Sequence, residues 1–474
     1  MSIEFSKKLV AHETPIPGVV VYDLPVHGDN RGWFKENWQR EKMVALGLPD
    51  FRPVQNNISF NEKAGTTRGI HAEPWDKFIS VATGRIFGAW VDLREGPSFG
   101  TVYTAELDPS QAIFIPRGVG NAFQTLEDNT AYTYLVNDHW SADAQGQYTF
   151  LNLADESAAV HWPIPLEQAE LSDKDKSHPR LADVVPMPPK KTLVVGANGQ
   201  LGKALRKLYD GDASVEFAGR GEFDISSAEA FADRNWKNYS TIVNAAAYTA
   251  VDVAETPEGR AAAWSNNVTA VSRLARTAVE HDLTLIHVSS DYVFDGSRNI
   301  YSENEAFAPL GVYGQTKAAG DAIVSTVPRH YILRTSWVIG EGNNFVRTMA
   351  SLAARGIEPS VVNDQVGRLT FTDDIAAGIQ HLLGTGADYG TYNLTNEGKP
   401  QSWADIARDV YELSGVSRDA VTGVSTAEYF KGKEAAPRPL NSVLDLSKIK
   451  ASGFVPRPAR EVLEAYLAQQ PATV

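Results

Sequence analysis

The rhythm of apolar residues changes once along this chain, and that change constrains its architecture more than any other feature. Up to about residue 170, short β-branched or aromatic runs recur at close spacing, at 19–24, 78–93, 101–107, 112–116 and 131–136. Turn-forming clusters punctuate them, including Asp29-Asn30-Arg31-Gly32, Glu95-Gly96-Pro97 and Asp108-Pro109-Ser110. Many short strands at this spacing predict a sandwich or barrel. From Lys190 the rhythm is different. Strands expected at 192–196, 215–219, 241–247, 283–290 and 330–336 alternate with helices near 200–209, 226–235, 259–280 and 314–327. That alternation predicts a doubly wound parallel sheet. Between the two patterns lies a charged, proline-rich stretch ending in Val185-Pro186-Met187-Pro188-Pro189-Lys190. Proline density favours extended, semi-rigid backbone. The expected organisation is therefore a β domain at 1–171, a linker at 172–190 and an α/β domain at 191–474.

Composition narrows the function classes. The 474 residues exceed what one core organises, so two or three domains are expected. A formal charge of −14 argues against nucleic acid as a partner, because duplex binding needs clustered Lys and Arg to displace counterions. Cysteine is absent, which removes disulfides, thiolate nucleophiles and Cys-ligated zinc. The first residues lack the apolar core of a signal peptide, and no run approaches the roughly eighteen apolar residues of a spanning helix. A cytoplasmic enzyme with no membrane partner is expected.

The second half carries the clearer chemistry. The strand Thr192-Leu193-Val194-Val195 runs into Gly196-Ala197-Asn198-Gly199-Gln200-Leu201-Gly202 and a helix start. Glycines there let backbone amides approach a pyrophosphate at a helix N-terminus, where the dipole favours anions. About twenty residues on, where an acidic residue would grip a ribose diol, stand Gly219 and Arg220. This points to NADPH, with NADH usable, and Asp224 and Ile225 could flank the adenine. Further along come Ser289-Ser290-Asp291-Tyr292 and Tyr313-Gly314-Gln315-Thr316-Lys317. Tyr313 and Lys317 lie one helical turn apart and share a face. A neighbouring ammonium lowers a phenol's pKa, and a phenol so tuned can protonate a carbonyl oxygen as hydride reaches carbon. Ser290 can hydrogen-bond the same oxygen.

With these motifs on the page, residues 190–474 resemble the dTDP-4-dehydrorhamnose reductases, extended short-chain dehydrogenases of Rossmann type with a small substrate-binding C-terminal part. Val243 to Asp252, Ser289 to Phe294, Arg334 to Trp337, Gly342 to Phe345, Asn363 to Gln365 and Arg438 to Ser442 carry the resemblance. It implies further cofactor contacts from Asn198, Gln200, Leu201, Ala245, Ala246 and Ala247, and substrate contacts from Trp337, Asn344 and Arg438. Ser290 stands where the family has threonine. Ala204 stands where some relatives carry a glutamate that binds Mg²⁺ between subunits, so a metal-linked dimer is not expected.

The first half resembles the dTDP-4-dehydrorhamnose 3,5-epimerases, β jelly rolls of the cupin class. The matching stretches are Asp29 to Phe34, Gln55-Asn56-Asn57, Arg68-Gly69-Ile70-His71, Val91 to Arg94, Pro116-Arg117-Gly118 and Trp162-Pro163. Protons on carbons 3 and 5 of a 4-keto sugar are acidified by the carbonyl between them. Inverting them needs a base, an enolate stabiliser and a proton donor on the opposite face. His71 suits the base, since its intrinsic pKa lies near neutrality. The resemblance implies Asp155 as its orienting carboxylate, Lys77 as enolate stabiliser, Tyr134 as proton donor, Arg68 on the diphosphate, and Arg31, Gln55 and Asn57 as further substrate contacts. Asn121 replaces a family histidine, and no His/Glu cluster has metal-ligand spacing, so no metal is expected.

Together the resemblances imply a bifunctional enzyme of dTDP-L-rhamnose synthesis, acting on a dTDP-4-keto-6-deoxy sugar and assembled as a homodimer. The alternatives are a reductase carrying an inactive cupin scaffold, synthesis of a different dTDP-deoxysugar, and a non-catalytic nucleotide-binding regulatory protein.

Overall fold

The computed structural model describes residues 5–140 and 142–469, and the chain divides into two compact units, Met1–Pro189 and Lys190–Val474. The first unit is built on two antiparallel sheets. One has the order β1 (Val10–Glu13), β2 (Val20–Asp23), β10 (Gln111–Ile115), β7 (Lys77–Thr83), β12 (Thr130–Val136), β5 (Gln55–Asn61). The other runs β13 (Thr149–Phe150), β6 (Thr67–Ala72), β11 (Val119–Thr125), β8 (Ile86–Asp92), β9 (Val102–Leu107). A hairpin of β3 (Val26–Asp29) and β4 (Gly32–Lys35) stands apart from both sheets. Ile79, Val81, Trp90, Ile113, Phe123 and Tyr132 come from both sheets and form one buried core, as sandwich packing requires. This is the expected jelly roll.

The differences from the sequence reading lie in local detail. The apolar run at 78–93 is two strands, β7 and β8, turned at Gly84 in the left-handed region (φ 79°). Strands β5, β6 and β11 went unpredicted because Asn, Gln, Arg, His and Gly interrupt their apolar pattern. Pairing partners rather than intrinsic propensity hold them extended.

The segment 172–190 is not a free linker. Through Pro189 it belongs to the first unit. Ser172 caps a short helix, α2 (Asp173–Lys176), by accepting from the Asp175 amide, and Asn152 donates to the carbonyls of Lys176 and His178. Met187 pairs with the Leu93–Glu95 backbone. These bonds recruit charged, proline-rich sequence into the sandwich, which composition alone could not reveal.

The second unit is a parallel sheet with the order β15 (Val215–Ala218), β14 (Lys191–Val195), β16 (Tyr239–Asn244), β17 (Thr284–Ser290), β18 (His330–Thr335) and the strand Gly390–Asn393. The chain leaves β14 toward one edge and resumes at β16 on its other side. That switch point opens a crevice at the carboxyl ends of the strands, where such sheets bind ligands. Helix α3 (Gln200–Leu208) follows β14, and α7 (Val312–Val324) follows β17. The helix expected at 259–280 is Pro257–Trp264, a π turn at Ser265–Thr269, and Ala270–Glu280. A separate core of Val346, Phe371, Ala407, Val410, Tyr411 and Leu463 organises the smaller C-terminal part. Among the described residues no helix is long and apolar enough to cross a membrane.

Candidate active sites

In the first unit, β6 and β11 pair with His71 opposite Asn121, and β12 sets Tyr134 beside Ile79 of β7. These strands and α2 enclose a cavity of about 550 Å³ lined by Arg68, His71, Glu73, Lys77, Tyr134 and Asp175, among others. Four of the expected residues therefore meet: Arg68, His71, Lys77 and Tyr134.

The expected carboxylate does not join them. Asp155 accepts from the amides of Ser157, Ala158 and Leu181, which makes it a loop cap. Burial pushes its carboxyl up, but those amides and Arg180 outweigh that and hold it below its ordinary value. Asp175 is the partner instead, with Oδ1 2.9 Å from His71 Nε2. It is 5% exposed. Burial raises its carboxyl, and the His71 hydrogen bond and charge more than reverse this, leaving it below the usual range. Nε2 is engaged with Asp175, which leaves Nδ1 as the ring nitrogen open to another partner.

Lys77 is buried and forms an ion pair with Glu73, and its ammonium lies 5.3 Å from the centre of the Tyr134 ring. Burial, and next the charge of Glu73, push the Tyr134 phenol up, with Arg68 opposing. Arg68 donates from Nε to Asn61 Oδ1 at 3.2 Å. Asn121 fills its position with neutral bonds, accepting from Trp90 Nε1 at 3.0 Å and donating to Tyr132 at 3.1 Å. Three expected contacts lie outside this cavity lining. Arg31 pairs with Asp29 on the exposed hairpin, and Gln55 donates to Asn57 on β5.

In the second unit the glycine loop has the geometry of a nucleotide cradle. Gly196 has φ 78°, and a Cβ there would stand 2.6 Å from the Ala246 amide nitrogen. A Cβ at Gly202 would meet the Ala197 backbone at 2.5 Å, so only glycine lets α3 start this close to β14. Gly199 is the helix N-cap without any side-chain cap, leaving the first amides of α3 for an anion. Asn198, Gln200 and the Ala245–Ala247 turn border this loop, the turn held by Ala245 N to Val195 O and Ala246 N to Asn244 Oδ1. Leu201 and Ile225 are side chains of the cores on either side of the sheet. Asp224 accepts from Ser226, and Arg220 is exposed and donates to Asn266 at 3.2 Å. The cradle fits a dinucleotide, and Arg220 is free to turn toward a phosphate at its rim.

Ser290 ends β17, and Tyr313 and Lys317 share one face of α7. All three are buried. Lys317 donates to the Val288 carbonyl at 2.7 Å and lies 3.3 Å from His287 Nε2. Burial pushes its ammonium down to about 8, with Asp321 opposing. The Tyr313 phenol differs from expectation: burial raises it above its ordinary value, and only a hydrogen bond with Ser290 works the other way. Lys317 is turned toward backbone and His287, so the phenol stays protonated, the state a proton donor requires.

Sequence reasoning missed several neighbours here. Tyr292 packs edge-on to Tyr313 at 5.4 Å. Asp291 accepts from Ser290 at 2.9 Å, and burial pushes its carboxyl up to about 6 against the Ser442 and Ser290 hydrogen bonds. The run Ser289-Ser290-Asp291-Tyr292 was their only signal.

The three expected sugar contacts lie on separate segments, and Arg438 comes within electrostatic reach of Tyr292, the neighbour of Tyr313. Trp337 has a left-handed backbone (φ 47°) and stacks on Trp403 at 3.8 Å, a strained placement for a bulky residue. Asn344 caps the helix Phe345–Ala354, and its amide donates to Gly340, Gly342 and Tyr466, so its polar atoms are committed to structure. Arg438 forms a forked pair with Asp252 at 2.8 Å and lies over Phe430.

Both halves match known families. The RmlD substrate binding domain family matches residues 190–471, and the dTDP-4-dehydrorhamnose 3,5-epimerase family matches residues 13–183. The chain belongs to both families, one in each unit. The first unit is 52% identical over 192 residues to the protein RmlC homolog of Streptococcus pyogenes serotype M6, covering 39% of this chain and 96% of that protein. The second is 39% identical over 283 residues to the dTDP-4-dehydrorhamnose reductase of Aggregatibacter actinomycetemcomitans, covering 56% of this chain and 94% of that protein. The solved dTDP-4-dehydrorhamnose reductase of Bacillus anthracis, in complex with NADP, superposes with a TM-score of 0.55 at 32% identity, covering 60% of this chain and all of that one.

Proposed function

We propose that the chain catalyses two consecutive steps of dTDP-L-rhamnose synthesis. The first unit inverts carbons 3 and 5 of dTDP-4-dehydro-6-deoxy-D-glucose, and the second reduces the carbon-4 ketone with NADPH. The observation that carries this reading is the pair of part-exposed His71 and buried Asp175 in one cavity with Lys77 and Tyr134, on the same chain as Ser290, Tyr313 and Lys317. A scaffold-only role for the first unit leaves the buried charges of Asp175 and Lys77 without a purpose, since desolvating them is costly.

His71 Nδ1 removes the proton beside the ketone, and Asp175 stabilises the imidazolium that forms. Lys77 holds the enolate oxygen, and Tyr134, kept protonated by its raised pKa, returns a proton from the other face. Arg68 holds the diphosphate. In the second unit the Gly196–Gly202 loop and Arg220 hold NADPH, which supplies the hydride when bound. Ser290 and Tyr313 hydrogen-bond the ketone oxygen, and Tyr313 gives it a proton. Lys317, held by the Val288 carbonyl and close to His287, supplies positive charge on the same face of α7. A cytoplasmic location fits the need for NADPH.

Exposed Ile58 and Phe60 on the edge strand β5 support a homodimer through this sheet. Sedimentation tests it: Ile58→Glu should yield monomer, and an unchanged wild-type monomer would refute it. For the activity, the purified chain is incubated with the 4-keto sugar and NADPH and the product identified by NMR. dTDP-L-rhamnose is expected. A product epimeric at carbon 3 or 5, or an unreduced sugar, would overturn the corresponding step.

A further inference from the structure

His178 is a buried imidazole that the epimerase chemistry does not use. It is 9% exposed, stacked on Phe150 at 4.6 Å, and among the described residues neither ring nitrogen has a hydrogen-bond partner, the Leu151 backbone approaching without reaching that geometry. A buried polar group left unpaired in this way calls for a ligand. Its Nε2 lies 4.0 Å from Asp175 Oδ1, which is itself 2.9 Å from His71 Nε2. One ligand atom from each of the three residues falls within 4.8 Å of the others. Ligands at about 2.0–2.1 Å around a tetrahedral ion lie roughly 3.3 Å apart, so these spacings bracket the required geometry within side-chain adjustments.

We propose that His71, Asp175 and His178 form a site for a divalent transition-metal ion, and that the ion switches the epimerase unit off. Two imidazoles and one carboxylate suit Zn²⁺, Co²⁺ or Ni²⁺ and are a poor match for Mg²⁺ or Ca²⁺, which take oxygen ligands. His71 is part-exposed in the cavity wall, which gives the ion an entry path and leaves its fourth position to water. Sequence spacing concealed this set, because two ligands sit three residues apart on one turn and the third is on a distant strand.

The inhibition rests on the reading of His71 as base. A neutral imidazole binds a metal through the nitrogen that carries no hydrogen, so coordination at Nε2 moves the proton shared with Asp175 through solvent to Nδ1. It also takes the carboxylate away from the imidazole, and Nδ1, now carrying hydrogen, has no lone pair with which to accept the substrate proton. The reductase residues are untouched.

The test uses the full chain. Co²⁺ is titrated in and the visible d–d absorption of a low-coordinate ion followed, with Zn²⁺ then displacing it. Exchange of substrate protons for deuterium is measured separately with and without Zn²⁺. The proposal expects one saturable ion per chain, and an affinity lower by about a hundredfold or more in His178→Phe, which keeps the stack on Phe150 but offers no ligand. Metal-free exchange in that variant should match wild type, and Zn²⁺ should no longer inhibit it. His178→Gln, of different shape, guards against a folding defect in the first variant. Absent saturable binding, or equal affinity in wild type and both variants, overturns the site. Binding that depends on His178 while exchange continues at the wild-type rate leaves the site standing and overturns the role of His71.

Discussion

Asp175→Asn separates the carboxylate that the fold presents to His71 from the one that the sequence order implied. The substitution keeps volume, and the Asp175 amide that donates to Ser172 Oγ is unaffected, so α2 should remain capped. What changes is the 2.9 Å bond to His71 Nε2, made by a group 5% exposed. When Nδ1 takes the sugar proton, the ring becomes an imidazolium beside a buried carboxylate. A charge-assisted bond is worth about 1.5–3 kcal/mol and a neutral one about 0.5–1.5 kcal/mol, so its loss removes about 1–2 kcal/mol of transition-state stabilisation. Asparagine can also offer its amide to Nε2, which favours the tautomer whose Nδ1 carries hydrogen and cannot accept another. At about 1.4 kcal/mol per decade, the combined loss in kcat is about ten- to a hundredfold, with KM little changed. The assay is deuterium incorporation at carbons 3 and 5 in D₂O, followed by NMR. Asp155→Asn is the companion: it should leave exchange near wild type while lowering stability by about 1–2 kcal/mol, because it weakens a cap on three amides. Wild-type exchange in the Asp175 variant, or a larger loss in the Asp155 variant, would refute the assignment. The sign with pH follows from the depressed Asp175 carboxyl. Its stabilisation is full above the unfolded value of about 3.9 and is lost as pH falls through the lower folded value, so the stability gap to Asp175→Asn closes only in acid.

For the reductase, Tyr313→Phe should reduce turnover by about two to four orders of magnitude with NADPH binding intact, measured by stopped-flow absorbance and fluorescence titration; near-normal turnover would remove Tyr313 as donor. Arg220→Ala should erase most of a roughly tenfold preference for NADPH over NADH in kcat/KM, and an unchanged ratio would show that this arginine is not the selector. Burial holds the Lys317 ammonium at about 8, so its charge is lost as pH rises through that value. Reductase turnover should fall on that basic limb, and a flat profile through it would show that the charge is not required.

How much of this was legible in the sequence depended on how far apart the cooperating residues lie. The glycine loop and the Tyr313–Lys317 pair are local: one strand-to-helix turn and one turn of α7 fix their geometry, so spacing alone reports it. The phenol's environment was not local. An ammonium one turn away was expected to lower its pKa, yet the Val288 carbonyl and His287, contributed by β17, claim that ammonium, and burial sets the phenol instead. Asp175 was the harder case. It lies 104 residues from His71, inside charged, proline-rich sequence that composition marks as a spacer. Asp155 and Asp175 differ by no local pattern that could rank them. What distinguishes them is the backbone around each: three amides converge on the first and leave it nothing to offer, whereas a three-residue cap turns the second toward β6. Strand β6 itself was invisible, because the Arg68 and His71 that give it chemistry interrupt the alternation that would have announced a strand. The cavity-lining parts of this sandwich are thus the parts whose polar residues break the apolar code. A sequence reading there recovers the residues before it recovers the strand that carries them.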